Sequence, residues 1–256
     1  MRVPSKKIGL AVCAACLALA PGFAGHESHP HWGYSGSTGP THWATLEKDF
    51  KTCGAGKRQS PIDIRDEKVH KADLPSIQFG YQPSKLRIVD NGHTIQVNYA
   101  PGSFITVGDK KYELMQFHFH HPSEERINGK SYDMVAHLVH RDSSGHLAVV
   151  AVLLSGGDQG NALIKKLWDN LPKTKEVEAA IDAVTINAAD LLPASHAYYT
   201  FDGSLTTPPC SEGVTWFVLQ HPNGLSKDQV NRFVKLYPKD ARPVQPVNDR
   251  EIKAGG

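Results

Sequence analysis

The sequence has no apolar run long enough to cross a bilayer. Its longest, IGLAVCAACLALA at residues 8–20, falls about five residues short of a spanning helix. It has no excess of charge of either sign: 28 Lys and Arg stand against 26 Asp and Glu in 256 residues. No polyanion such as nucleic acid is therefore an expected partner. It lacks internal repeats and low-complexity linkers, so repeat arrays and tethered modules are excluded. Cysteine is scarce, with four residues in all. With 40% apolar and 21% charged residues, what remains is the composition of an ordinary globular chain.

The short apolar run sits where a secretory signal would place it. Arg2, Lys6 and Lys7 form a basic head before it, and PGFAG follows, with Gly22 and Ala24 at the small-residue positions of a cleavage site. Residues 1–24 are expected to be a signal peptide, leaving residues 25–256 as one domain with no membrane anchor. Cleavage removes three bases and no acids, so the mature chain carries 25 bases against 26 acids. Cys13 and Cys16 leave with the head. Cys53 and Cys210 remain, and in an exported chain two cysteines are expected to be bridged.

Beyond a Gly-, Pro- and His-rich segment at 25–60, stretches at 86–90, 93–99, 112–120, 134–140, 147–154 and 214–220 read as strands. Asn91–Gly92 marks a turn between the first two. Two helices are expected. One carries the stripe Leu163, Ile164, Leu167 and Leu171 and stops at Pro172. The other starts at a Ser226/Gln229 capping box, carries Val230, Phe233, Val234 and Tyr237, and stops at Pro238. The fold class is β-dominated α+β, with short turns favouring antiparallel pairing.

The chemistry concentrates in YELMQFHFH at 112–120. On a strand, Met115, Phe117 and Phe119 share one face, and Gln116, His118 and His120 the other. Two imidazoles at i and i+2 make a two-point clamp for a borderline metal. A third ligand must come from the neighbouring MVAHLVH strand. It offers His137 or His140, which point to opposite faces; spacing alone fits either. Three His ligands on a tetrahedral ion leave one position open, as catalysis requires. His121 points away from the metal by strand parity. His26, His29 and His31 read as a solvated start to the mature chain.

QFHFH followed by AHLVH resembles the zinc site of the α-carbonic anhydrases. HWGYSGSTGPTHW (31–43), RQSPIDI (58–64), NGH (91–93), GSLTTPPCSEGVTW (203–216) and ARPVQPVNDREIK (241–253) resemble the same family, in order. The bacterial secreted branch looks closest. The resemblance implies a central twisted, mostly antiparallel sheet of about ten strands with a few peripheral helices, and a Zn2+ cofactor at the floor of a conical cleft. It implies reversible hydration of carbon dioxide to bicarbonate and a proton by hydroxide held on zinc. It selects His118, His120 and His137 as ligands and His93 as proton shuttle. Thr206 would accept the hydroxide proton and donate to Glu124, with Thr207 in the same pocket. Val139, Val149, Leu205 and Trp216 would form the apolar wall for the substrate. Tyr34, Asn91, Gln96 and Gln116 would hold water or, for Gln116, orient a ligand. Cys53 and Cys210 match the disulfide of exported members, and the periplasm is the expected compartment. The partners implied are carbon dioxide and bicarbonate, with a homodimer compatible.

The chain also departs from that pattern. The family commonly has Glu two residues before the third zinc histidine, where this chain has Val135. It commonly has His after the glutamate matched by Glu124, where this chain has Glu125. The Tyr that often completes this network is Phe201. Two outcomes are open: an exchange in which the Glu125 carboxylate serves His137, or a solvated Glu125 with another group serving that ring. Two alternatives to the enzyme are a catalytically inactive binding module on this fold and a periplasmic zinc-binding protein. The first would lack a zinc histidine, and the second would have no need of SLTTPP beside an apolar pocket.

Overall fold

The computed structural model describes residues 32–255; the expected signal peptide and His26, His29 and His31 lie outside them. Ten strands form one continuous hydrogen-bonded path. They are β1 (Val69–Lys71), β2 (Ser84–Asp90), β3 (Ile95–Asn98), β4 (Lys110–His120), β5 (Met134–Arg141), β6 (Leu147–Gly157), β7 (Ala179–Ile186), β8 (Tyr198–Ser204), β9 (Glu212–Leu219) and β10 (Ile252–Gly255). Their spatial order is β7-β2-β3-β4-β5-β6-β9-β8-β10-β1, and three short strands off this path bring the sheet to thirteen. Along the path only β6/β9 and β10/β1 pair parallel. The ten strands of the path match the sequence expectation.

The centre of the sheet is buried on both faces. On β6, Ala148, Val150, Val152 and Leu154 enter one core cluster, and Val149, Ala151 and Leu153 enter the other. That two-sided burial is why LAVVAVLL reads as a continuous apolar run rather than an alternating one. The first cluster lies under helices Ala162–Asp169 and Lys227–Val234, through Leu163, Ile164, Leu167, Trp168, Val230 and Phe233. Each such buried side chain contributes about 1.5–3 kcal/mol. The Asn161 side chain caps the first helix, and Ser226 with Gln229 forms the expected capping box on the second. Both helices end earlier than their prolines suggest, so Leu171 and Tyr237 pack from the turns that follow.

The parity expected along β4 needs one correction. Opposite β5 the register shifts between Leu114 and Gln116, a β-bulge at Met115. Leu114 therefore takes the core-facing role expected of Met115. Phe117 and Phe119 keep theirs, in the same cluster as Leu114. Past the bulge, Gln116, His118 and His120 share the opposite face, as the period of two requires.

Candidate metal centre

His118 lies on β4 directly across from His137 on β5, and His120 stands two residues further along β4. One nitrogen from each of these rings lies within 4.8 Å of the others, the only such group of three or more His, Cys, Asp or Glu residues among the described residues. His140 takes no part. It pairs across from Leu114 on the core face, and its Nε2 lies 2.9 Å from the Tyr81 hydroxyl. The two candidates on MVAHLVH are thus separated by strand parity. His121 also stays outside, its Nδ1 2.7 Å from the Asp133 carbonyl.

Each metal-site ring is fixed through its other nitrogen. His118 Nδ1 lies 2.9 Å from Gln116 Oε1, and His120 Nδ1 lies 2.8 Å from the Asp240 carbonyl. His137 Nε2 lies 3.1 Å from Glu125 Oε2. The acceptors are an amide, a backbone carbonyl and a carboxylate. This arrangement leaves Nε2, Nε2 and Nδ1 for a metal. His120 Nε2 is buried and without a hydrogen-bond partner. A buried polar atom in that condition is costly unless a ligand meets it. Three imidazoles with converging nitrogens suit a borderline cation such as zinc.

Electrostatics agree with that assignment most directly at His118. Burial, then the neighbouring imidazoles of His120 and His137, hold His118 well below the usual histidine range. It therefore offers a lone pair at neutral pH. His120 is also penalised by burial, but Glu124 and Asp240 outweigh this and raise it. Asp240 is itself pushed up to about 7, chiefly by burial. Burial also depresses the Arg242 guanidinium, to about 10.

Glu124 departs from expectation. Its Oε1 accepts the Arg242 backbone N–H at 2.7 Å, while Oε2 has no hydrogen-bond partner. The donation expected from Thr206 is therefore not formed. Oε2 instead turns toward His120 Nε2 at 3.6 Å and His137 Nδ1 at 3.8 Å. Thr206 is nonetheless buried.

A cavity of about 130 Å³ opens onto His118 and His120. Thr207, Gln116, Gln96, Asn91 and Tyr34 line it, and His93 stands among them. The His93 ring stacks on Trp32, with centroids 3.6 Å apart and planes 5° from parallel. Gly92 supplies the positive φ of +85° that its turn requires. Val149, Trp216, Val139 and Leu205 belong to one apolar cluster on the site's side of the sheet. The Trp216 ring stands edge-to-face against His137 at 5.0 Å.

Cys53 and Cys210 are bonded, with Cα atoms 5.0 Å apart. Arg242 ties this bridge to the site: Nη2 donates to the Cys53 carbonyl at 2.9 Å, and Nη1 to Gln59 Oε1 and the Ser60 carbonyl. Sequence reasoning missed Arg242, Asp240 and Trp32. Two of them lie inside quoted motifs, but Asp240 precedes its motif and acts through a backbone carbonyl, which leaves no residue-type signal.

Comparison with known proteins agrees with this geometry. The family described as eukaryotic-type carbonic anhydrase matches residues 38–255. A carbonic anhydrase from Nostoc sp. is 43% identical over 250 residues, covering 96% of this chain and 94% of that protein. A hyperthermostable carbonic anhydrase identified from an active hydrothermal vent chimney superposes with a TM-score of 0.84 at 47% identity, covering 88% of this chain and 100% of that one. The α-carbonic anhydrase of Thermovibrio ammonificans, in complex with sulfanilamide, gives 0.83 at 41% identity, covering 87% and 98%. With a matching family model over most of its length and relatives above 40% identity across nearly all of it, the chain belongs to the eukaryotic-type carbonic anhydrase family.

Proposed function

We propose that this protein is an exported zinc enzyme that reversibly hydrates carbon dioxide to bicarbonate and a proton. The observation that carries the reading is the convergence of three imidazoles within 4.8 Å, each held by an acceptor on its far side. His118, His120 and His137 would hold the metal. Bound zinc lowers the pKa of water to about 7, supplying hydroxide at neutral pH.

The protein's own residues perform the rest. Val139, Val149, Leu205 and Trp216 give carbon dioxide, which has no net dipole, an apolar surface beside the metal. Thr206 with Glu124 orients the attacking oxygen, once the threonine hydroxyl donates to the free Oε2 of the carboxylate. Tyr34, Asn91, Gln96 and Thr207 hold water across the cavity. His93, in the cavity lining, takes the released proton, imidazole being the side chain suited to proton relay near neutral pH. Glu125 keeps His137 in the tautomer that presents Nδ1.

Residues 1–24 would direct export and be removed. The Cys53–Cys210 bridge fits an oxidising compartment such as the periplasm. No helix of the described residues is long and apolar enough to cross a membrane.

Stopped-flow hydration of carbon dioxide with a pH indicator tests the reading, on purified protein of known zinc content. One zinc per chain, turnover lost on chelation and turnover restored by zinc are expected. Stoichiometric zinc without turnover would instead establish an inactive module, and several zincs per chain without turnover a zinc-binding protein.

A further inference from the structure

A row of three side-chain amides starts in the polar wall of the cavity and ends on a carboxylate outside it. Asn91 Nδ2 donates to Gln96 Oε1 at 3.3 Å, and Gln96 Nε2 donates to Asn98 Oδ1 at 2.7 Å. Asn98 Nδ2 then donates to Glu178 Oε2 at 2.5 Å. Asn91 and Gln96 line the metal cavity. Glu178 is exposed, just before β7.

Both ends of the row are chemically one-sided. At the inner end, Asn91 Oδ1 accepts the backbone N–H groups of His93 at 3.0 Å and Thr94 at 2.9 Å. Backbone N–H groups only donate. At the outer end, an ionised carboxylate only accepts. Each amide between them shows oxygen one way and NH₂ the other. The row therefore has a single satisfied direction, and turning any one amide sets like groups against each other.

The segment bearing Glu178 is itself held in place at a cost. Glu176 adopts φ +63°, sparsely populated for a residue with a side chain. In that conformation its N–H donates to the Asp90 carbonyl at 2.6 Å. Asp90 begins the turn that carries His93, and its Oδ1 accepts from Gly92 N and the Tyr237 hydroxyl. Residues 176–178 thus grip both sides of the 90–98 hairpin.

We propose that Glu178 is a positioning residue. Its carboxylate accepts at the open end of the Asn98–Gln96–Asn91 row and holds it in the direction that Asn91 fixes from the other end, and so keeps the donors and acceptors that the cavity wall presents to water between the metal site and His93. This rests on the reading of the cavity as the site of hydration with proton exit at His93. Glu178→Gln keeps an acceptor oxygen for Asn98. Glu178→Lys places a donor-only group there, which demands the opposite direction and collides with the fixed Asn91.

The test uses the zinc-loaded full chain and both variants. In Glu178→Lys, kcat at low buffer concentration should fall about threefold, the effect of one neutral hydrogen bond. Its kcat/KM should be unchanged, and added imidazole should restore kcat. Glu178→Gln should match the wild type. Side-chain amide NMR supplies a readout independent of turnover: the Gln96 NH₂ resonances should move in Glu178→Lys and stay in place in Glu178→Gln. Unmoved Gln96 resonances in Glu178→Lys, a parallel fall of kcat and kcat/KM, or equal damage in both variants overturns the proposal. A wild-type protein without hydration activity would overturn the functional reading instead, and the NMR comparison would still decide the row.

Discussion

Glu125 Oε2 lies 3.1 Å from Nε2 of His137, and both side chains are almost fully buried. The carboxylate arrives from the loop after β4, beside Glu124. Two residues before His137 on its own strand stands Val135, packed in the apolar cluster that also holds Phe201 and Trp216. Of the three rings, His137 alone is held by an anion. Its Nε2–H donates to a carboxylate rather than to an amide or backbone carbonyl, and a carboxylate acceptor raises the basicity of the ring.

Removing that anion should weaken the metal site. Glu125→Ala is expected to lower zinc affinity about 10–100-fold, measured by competition with a chelator. Glu125→Gln should lose less, because its amide oxygen still accepts from the ring. Val135→Glu added to Glu125→Ala should recover part of the affinity, since residues i and i+2 on a strand share a face. An affinity for Glu125→Ala within about threefold of wild type, well short of that range, would remove Glu125 from this role.

His93 is expected to carry protons out of the cavity. Its turn places the ring in the cavity lining, stacked on Trp32. His93→Ala should lose about tenfold or more in kcat at low buffer, up to the roughly 100-fold at which the contribution of general acid–base groups begins. Its kcat/KM should hold, and imidazole in solution should restore kcat. A variant whose kcat ignores imidazole would show that the proton leaves by another route.

The His118/His120 pair was legible because strand parity is a property of two neighbouring residues. Spacing alone fits His137 and His140 equally; the family resemblance selected His137, and the pairing of Leu114 with His140 on the core face gives the physical reason. The bulge at Met115 was invisible because it belongs to the partner strand's register. The support for His120 comes from Asp240, 120 residues away, through a carbonyl that every residue type possesses. Arg242 was hidden similarly. Three of its four hydrogen bonds involve backbone atoms of other segments or its own backbone N–H.

The disulfide should contribute measurably to stability. It joins positions 157 residues apart, and the chain-entropy model assigns such a loop about 5 kcal/mol. Strain and residual structure in the unfolded chain reduce that figure, so a loss of about 2–5 kcal/mol is expected for Cys53→Ser/Cys210→Ser in urea unfolding. Arg242 bonds to the Cys53 carbonyl and, through its N–H, to Glu124, so the double variant should also release zinc faster. A urea midpoint equal to that of the oxidised wild type would contradict the structural role of the bridge.

His140 should make the protein sensitive to acid in a defined window. Its ring is fully buried beside Tyr81, and burial pushes its pKa down to about 3. In the unfolded chain it titrates near 6.5. Between these values the unfolded state holds a proton that the folded state refuses. Stability therefore falls as pH drops below about 6.5, by up to about 1.4 kcal/mol per pH unit, until the folded pKa is reached. His140→Gln keeps an acceptor for the Tyr81 hydroxyl and cannot titrate. It should be somewhat less stable at neutral pH. Below pH 6.5, its unfolding free energy should decline more shallowly than that of the wild type, by about one proton's worth of slope. Contributions from the metal ligands are common to both proteins and cancel in the difference. Urea unfolding at half-unit intervals from pH 7.5 to 4.5 measures both slopes. Parallel lines would mean that His140 is protonated in the folded state, and that its burial beside Tyr81 does not exclude the charge.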